Sequence, residues 1–382
     1  MKSPKKPPLL WIQSSIFSIT LLIALIAVPW YGLTYGYHWT AWLAFILLAG
    51  ANGMSITAGY HRLWSHNAYK AKLPLRLFFA LFGAAALQNS ILIWASGHRR
   101  HHRHVDDENL DPYCAGRGLW FSHIGWMLRD YPSGIVDLSN VKDLQRDPVV
   151  VWQDKHYALV ALSMNFLPPL LLGLMFGDYL AQFLLAGVLR LVFSHHTTFF
   201  INSLAHFWGK QPYTNDNTAK DNGLIAALTY GEGYHNFHHR FQTDYRNGVR
   251  WWHYDPTKWL IGSCQWLGLT SDLKRTPNVK IREALIQRQF ESARSRLPSI
   301  SNADQVRIYL EKEYQQFSSS LQEWRSLREQ WYEQKRAQLE SAREDLQKTW
   351  TKHAMRSRIK ELEYALKLQQ KRLRLLNLQL AG

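Results

Sequence analysis

Four stretches of this 382-residue chain are apolar at nearly every position. Leu9–Val28, Trp39–Tyr60, Tyr157–Phe176 and Tyr179–Asn202 each approach the ~20 residues that a helix needs to cross the hydrocarbon core of a bilayer, so the pattern predicts four transmembrane helices. The first run is longer than the apolar core of a signal peptide and lacks a small-residue cleavage site, and it reads as a retained span. A fifth apolar run, Leu77–Trp94, carries Gln88, Asn89 and Ser90 in its middle, which predicts a helix lying in the interface or dipping in and returning. The Trp-rich stretch from Trp251 and Trp252 through Trp259 to Trp266 predicts another interfacial helix. Beyond about residue 270 the pattern changes. Leu310, Tyr314, Phe317, Leu321, Trp324 and Trp331, then Ile359, Leu362, Leu366, Leu373, Leu376 and Leu380, follow the 3-4 spacing of short heptad runs. Pro298 and Ser299–Ser301 mark a break before them, and a helical hairpin and one long imperfect helix both fit the spacing. The expected fold is therefore an all-α integral membrane protein, with a membrane-embedded domain at 1–270 and a helical, coiled-coil-like extension at 271–382.

Composition sharpens this picture in two places. A mean hydropathy of −0.28 averages the apolar spans with a highly charged tail, and a formal net charge of +16 would by itself invite a nucleic-acid reading. The basic residues, however, border the apolar runs. Lys2, Lys5 and Lys6 precede the first span, while Tyr31–His38 and Gly177-Asp178 between paired spans contain no Lys or Arg. By the positive-inside rule both termini are cytoplasmic and the protein is multi-pass, with no nucleic-acid partner. The only cysteines, Cys114 and Cys264, are isolated, so neither a disulfide framework nor a cysteine zinc site is expected.

Histidines supply the candidate chemistry. His61-Arg-Leu-Trp-Ser-His66, His98-Arg-Arg-His101-His102 and His235-Asn-Phe-His238-His239 form three dense boxes, with a fourth element at Asn202-Ser-Leu-Ala-His206. Neutral imidazole is a ligand for iron, copper and zinc, and spacings of i, i+3 and i+4 bring rings to one face of a helical turn. The boxes predict a multinuclear metal site on the cytoplasmic side. That site also forbids Leu77–Trp94 from crossing, because His61 and His66 would then lie across the membrane from His98, His101 and His102. Asp106, Asp107, Glu108, Asp111 and Glu232 are the acids available to accept the second N–H of ligand imidazoles.

The motifs at 61–66, 97–102 (Gly-His-Arg-Arg-His-His), 202–209 (Asn-Ser-Leu-Ala-His-Phe-Trp-Gly) and 231–239 (Gly-Glu-Gly-Tyr-His-Asn-Phe-His-His) match, in order and spacing, those of the membrane-bound Δ9 fatty acyl desaturases of the stearoyl-CoA type, which the chain resembles from about residue 40 to about 268. The resemblance implies four transmembrane helices under a cytosolic cap and two irons held by His61, His66, His98, His101, His102, His206, His235, His238 and His239, with Asn202 as a water-mediated ligand. It also implies an enzyme that uses O2 to introduce a cis double bond near carbon 9 of a long-chain fatty acyl group, with a tunnel lined by Gln88, Trp94, Thr198 and Phe199. The alternative is a membrane hydroxylase of alkanes, sterols or lipids built on related boxes.

Departures from the family pattern bear on the acyl carrier. Ser96-Gly97 stands where animal relatives have an Arg-Asp pair that helps bind the coenzyme A headgroup, and Phe199 replaces a tunnel Trp, so the substrate is expected to be a fatty acyl-CoA or an acyl-lipid. Ala49 and Gly50 point to room at the far end of the tunnel. No dinucleotide fingerprint or iron–sulfur cysteine set is present, which implies an external electron donor, a reductase or a ferredoxin-like protein. Arg190, His195 and His196 lie outside the ligand pattern and read as polar residues facing the bundle interior or the cytosolic mouth; His104 and His123 also lie outside it, with His123 supporting the site or capping local backbone. Self-association through the C-terminal helices, beside contact with membrane lipid, completes the expected partners.

Overall fold

The structure, a computed structural model, describes residues 6–299, 303–340 and 347–380; Lys2, Lys5 and Ser301, used above for orientation and for the break, lie outside them. In chain order the elements that position the site are α1 (Trp11–Thr34), α2 (Trp39–Ser65), strand β1 (Lys70–Ala71), α3 (Leu73–Ala84), α4 (Ile91–Arg103), α5 (Pro148–Lys155), α6 (Tyr157–Phe176), α7 (Tyr179–Phe207), α8 (Gly223–Leu228), α9 (His235–Arg240), α10 (Pro256–Trp266) and strand β2 (Thr270–Ser271). Helices α1, α2, α6 and α7 are long and apolar enough to cross a membrane. Within their most apolar windows α2 and α7 are 50% and 61% buried, against 17% and 22% for α1 and α6. The first pair is thus the inner one, and the outer pair turns side chains such as Ile12, Leu33, Leu174 and Met175 outward, as lipid-facing helices do. The Tyr31 hydroxyl reaches the Asp178 carboxylate at 3.0 Å, tying the α1–α2 connection to the α6–α7 connection. Both short loops therefore share one end of the bundle, and the histidine-bearing ends of α2 and α7 lie at the other.

Leu77–Trp94 is not one helix, contrary to the hydropathy pattern. It breaks into α3, a turn at residues 85–90, and α4. Leu87 and Asn89 take left-handed conformations, with φ of 51° and 72°, each costing about 1–3 kcal/mol unless the surroundings hold it. Ser90 then caps α4 by accepting from the Ile93 amide at 3.4 Å. At ~1.5 Å per residue, α3 is too short to cross the ~30 Å hydrocarbon core. It packs instead against α2 so closely that a Cβ on Gly83 would lie 2.3 Å from the Tyr60 ring. The tryptophan stretch is only partly helical: α10 starts at Pro256, capped by Asp255, and Trp251 and Trp252 precede it in an exposed turn.

Helix α2 carries the second departure from simple periodicity. Its last eleven residues, Ser55–Ser65, form a π-helix, with His66 N–H donating to the His61 carbonyl at 3.1 Å. His61 and His66 are five residues apart, a spacing that an α-helix does not put on one face. The i→i+5 ladder does so, as π segments often do at functional sites.

Residues 212–214 and 276–382 form a second compact unit. It contains α11 (Asn278–Arg296), α12 (Ala303–Glu340) and α13 (Gln347–Gln379). Arg358 pairs with Glu323 and Arg372 with Glu313, so α12 and α13 run antiparallel: the hairpin reading holds. Leu310, Phe317, Leu321 and Trp324 pack with Leu362, Leu366 and Leu373, as the heptad spacing predicts, and Val279, Ile286 and Phe290 of α11 complete this core. Cys114 and Cys264 are both free.

Candidate metal centre

The three boxes and His206 meet in two adjoining groups. His61, His66, His98, His102 and His238 form one, and His101, His206, His235 and His239 the other; within each group the nearest ring nitrogens all lie within 4.8 Å of one another. The boxes at 98–102 and 235–239 are divided between the groups, whereas His61 and His66 share the first. A helix turns about 100° per residue, so neighbours such as His101 and His102 on α4, or His238 and His239 on α9, point into different groups. The groups still touch, with the rings of His102 and His239 stacked 4.4 Å apart.

In every close pair the facing atoms are Nε2. His61 meets His238 at 3.0 Å, His66 meets His98 at 2.8 Å, and His102 meets His238 at 3.0 Å. In the other group His206 meets His235 at 3.1 Å, His235 meets His239 at 3.1 Å, and His101 meets His239 at 3.4 Å. The opposite ring nitrogens assign the protons. His61 Nδ1 donates to Glu232 at 2.9 Å and His101 Nδ1 to Asp111 at 2.9 Å. The Thr218 hydroxyl donates to Asp106 at 2.6 Å, so it accepts from His206 Nδ1 at 2.8 Å. With Nδ1 protonated, each Nε2 presents a lone pair, and lone pairs gathered this closely suit cations between them. Burial, and then repulsion from neighbouring rings, holds His66, His98, His102, His235, His238 and His239 well below the ordinary imidazole range. They are therefore neutral and competent as ligands at physiological pH.

Glu232 is the hinge of the surrounding shell. Besides His61, it accepts from Arg62 Nε at 3.1 Å, Arg62 Nη2 at 2.8 Å and Asn247 Nδ2 at 2.6 Å. Burial alone would raise its pKa, but Arg62 and His61 outweigh that and bring it to about 2. Arg62 in turn bonds Asp255 and the Tyr245 carbonyl. Of the five acids, Glu232, Asp111 and Asp106 serve the histidines; Asp107 caps the amides of Asn109 and Leu110 instead. Sequence reasoning passed over Arg62, Asn247, Asp255, Tyr113 and Thr218. Only Arg62 carried a signal, an ionisable residue in an apolar helix.

A cavity of about 370 Å³ runs to this centre. Gln88, Trp94, Thr198 and Phe199 all line it, as do His61, His98, Asn202 and Glu232. Gln88 Nε2 donates to the Thr198 hydroxyl at 3.0 Å, Trp94 Nε1 donates to Gln88 Oε1 at 3.2 Å, and the Trp94 ring stacks on His98 at 4.9 Å. Ser96 and Gly97 also face the cavity, whereas Ala49 and Gly50 are not among its lining residues. Arg190, His195 and His196 stand apart from both histidine groups. His123 bonds Ser203 and His196 at 2.9 and 3.0 Å, beside Asn202 in sequence.

The fatty acid desaturase family model matches residues 37–265. A probable acyl-CoA desaturase of Schizosaccharomyces pombe is 46% identical over 245 residues, covering 64% of this chain and 51% of the relative. Stearoyl-CoA desaturase 5 of Homo sapiens is 39% identical over 250 residues, covering 64% and 75%. The sn-2 palmitoyl-lipid 9-desaturase of Nostoc is 36% identical over 277 residues, covering 71% and 92%. This chain spans about half the length of the Schizosaccharomyces pombe relative.

Proposed function

This chain belongs to the fatty acid desaturase family, and from that membership we propose that it introduces a cis double bond near carbon 9 of a long-chain fatty acyl-CoA, using O2 and two electrons from an external donor. The observation that supports this most is the junction of cavity and histidines. Trp94 belongs to both: it lines the cavity and stacks on His98. Two irons held by the nine histidines, with Asn202 nearby on the cavity wall, would supply with O2 the oxidising power that no side chain has towards an unactivated methylene.

The remaining work falls to the protein. Glu232, Asp111 and the Thr218–Asp106 pair hold protons on Nδ1 of His61, His101 and His206, which keeps each Nε2 available. The Gln88–Thr198 and Trp94–Gln88 bonds join α4, the turn before it and α7 across the cavity. A chain seated there is held at one register, so bond position is counted from its carboxyl end. In this reading the spans place both termini and the centre on the cytoplasmic side. The unit at 276–382 contains none of the nine histidines and is accessory to the chemistry.

The test is fatty-acid analysis after expression of the full chain in cells lacking their own desaturase. A cis monounsaturated product with the bond near carbon 9, and no oxygen from O2 in the lipid, is expected. A hydroxylated chain as the dominant product would replace this reading with the hydroxylase one.

A further inference from the structure

The turn between α3 and α4 is held by groups from across the bundle. Helix α3 ends among packed helices, where its last carbonyls have no intrahelical donor and, in a membrane, no water to replace one. Each nevertheless has a partner. The Leu81, Gly83 and Ala84 carbonyls accept from the amides of Ala85, Ala86 and Leu87 at 3.3, 3.0 and 3.1 Å, and the Phe82 carbonyl accepts from Asn52 at 2.6 Å. Beyond that point the donors come from α6 and α7. The Ala85 carbonyl accepts from Arg190 Nη1 at 2.8 Å and Asn165 Nδ2 at 3.2 Å, and the Ala86 carbonyl accepts from His195 Nε2 at 2.8 Å.

Arg190 is 2% exposed and, among the described residues, pairs with no carboxylate. Its guanidinium donates to Ala85 O, to Ala186 O and to Asn165 Oδ1 at 2.8 Å. A charge buried inside a membrane helix without a counter-charge is costly, and such residues mark function by default. Here the positive group sits at the C-terminal, partially negative end of α3. Four residues past that end lies Gln88, flanked by the left-handed Leu87 and Asn89, and all three line the cavity. His195 itself lines the cavity and stacks on Phe199, another lining residue, at 5.6 Å. Left-handed conformations at non-glycine residues persist only where the surroundings over-determine them, and Arg190, Asn165 and His195 do this.

We propose that Arg190, Asn165 and His195 are positioning residues: by clamping the Ala85 and Ala86 carbonyls they fix Gln88, and so set which carbon pair of the acyl chain faces the histidine groups. This rests on the desaturase reading. Arg190→Met removes the donors and keeps the aliphatic stem; Arg190→Lys can restore one bond to Ala85; His195→Phe keeps the ring against Phe199 and removes the N–H. Full-length variants are compared in desaturase-deficient cells for double-bond position, and as purified protein for metal content and amide exchange at residues 86–90.

Arg190→Met and His195→Phe should keep the parent's metal content while raising the share of double bonds at neighbouring carbons about tenfold. Exchange at 86–90 should quicken about tenfold, and Arg190→Lys should recover most of both properties. Variants that hold metal and turn over more slowly, with bond position and exchange unchanged, would overturn the proposal. Should Arg190→Met fail to accumulate, Asn165→Leu decides, since Asn165 bonds the Ala85 carbonyl without lining the cavity, whereas His195 does line it. If the parent makes no unsaturated chain the desaturase reading falls and the control of bond position with it, whereas the exchange arm, which needs no turnover, still reads whether the clamp exists.

Discussion

Glu232→Gln isolates the shell around the histidines from the histidines themselves. The carboxylate is 1% exposed and receives four bonds, two from Arg62 on Oε1 and one each from His61 and Asn247 on Oε2. Glutamine has the same shape but only one acceptor side. If its oxygen stays on Arg62, its amide N–H groups confront the N–H groups of His61 and Asn247. Relief requires His61 to move its proton from Nδ1 to Nε2, and a protonated Nε2 cannot bind a metal. Loss of such a shell partner typically lowers metal affinity about 10–100-fold. The stability cost is that of unbalancing a buried ion pair, ~3–5 kcal/mol, and it should fall at ~3 kcal/mol because Asp255 still faces Arg62. Chelator competition on the purified protein reads the affinity, and thermal unfolding of the metal-free form reads the stability. Asp107→Asn serves as the control, since its carboxylate caps an exposed turn and should change stability by no more than ~0.5 kcal/mol. A Gln variant that binds metal as tightly as the parent and melts with it would refute the claim that Glu232 sets the His61 tautomer.

Alanine at any of the eight box histidines or at His206 should lower bound metal and nearly abolish product, while His156→Ala and His353→Ala should do neither; metal analysis beside product analysis checks this. Burial raises the Asp221 carboxyl from 3.8 to about 7, so the folded chain retains a proton that the unfolded chain releases. Its contribution to stability is then fullest below pH ~4 and is lost as pH rises towards ~7, opposite in sign to that of the buried neutral histidines, so the thermal midpoint of Asp221→Asn relative to the parent should rise steadily across this range. Removing residues 276–382 should leave metal content intact in detergent. Cutting at 303 instead strips α11 of its partners and exposes Val279, Ile286 and Phe290, so that protein should aggregate, a difference that size-exclusion profiles would show.

Run length and motif spacing are local properties, and they carried much of this protein. Four apolar runs marked the four long helices, because a span must satisfy its own backbone bonds and be apolar throughout. The histidine motifs named the residues that meet, because box spacing is itself a short-range signal. The heptad positions named most of the second unit's core for the same reason. What the sequence did not disclose depends on contacts distant along the chain. The division of nine histidines into groups of five and four follows from how α4 and α9 interleave, and from a π-helix that aligns His61 with His66. Arg62, Tyr113 and Thr218 acquire their roles only through partners 12 to 193 residues away. The polar stretch at Gln88–Ser90 marked where the fifth apolar run is interrupted, but the break at Ala85–Ser90 survives because Arg190, Asn165 and His195 reach it from other helices. Hydropathy reports how willingly each residue leaves water; where a backbone carbonyl finds its donor is settled only by the packed chain.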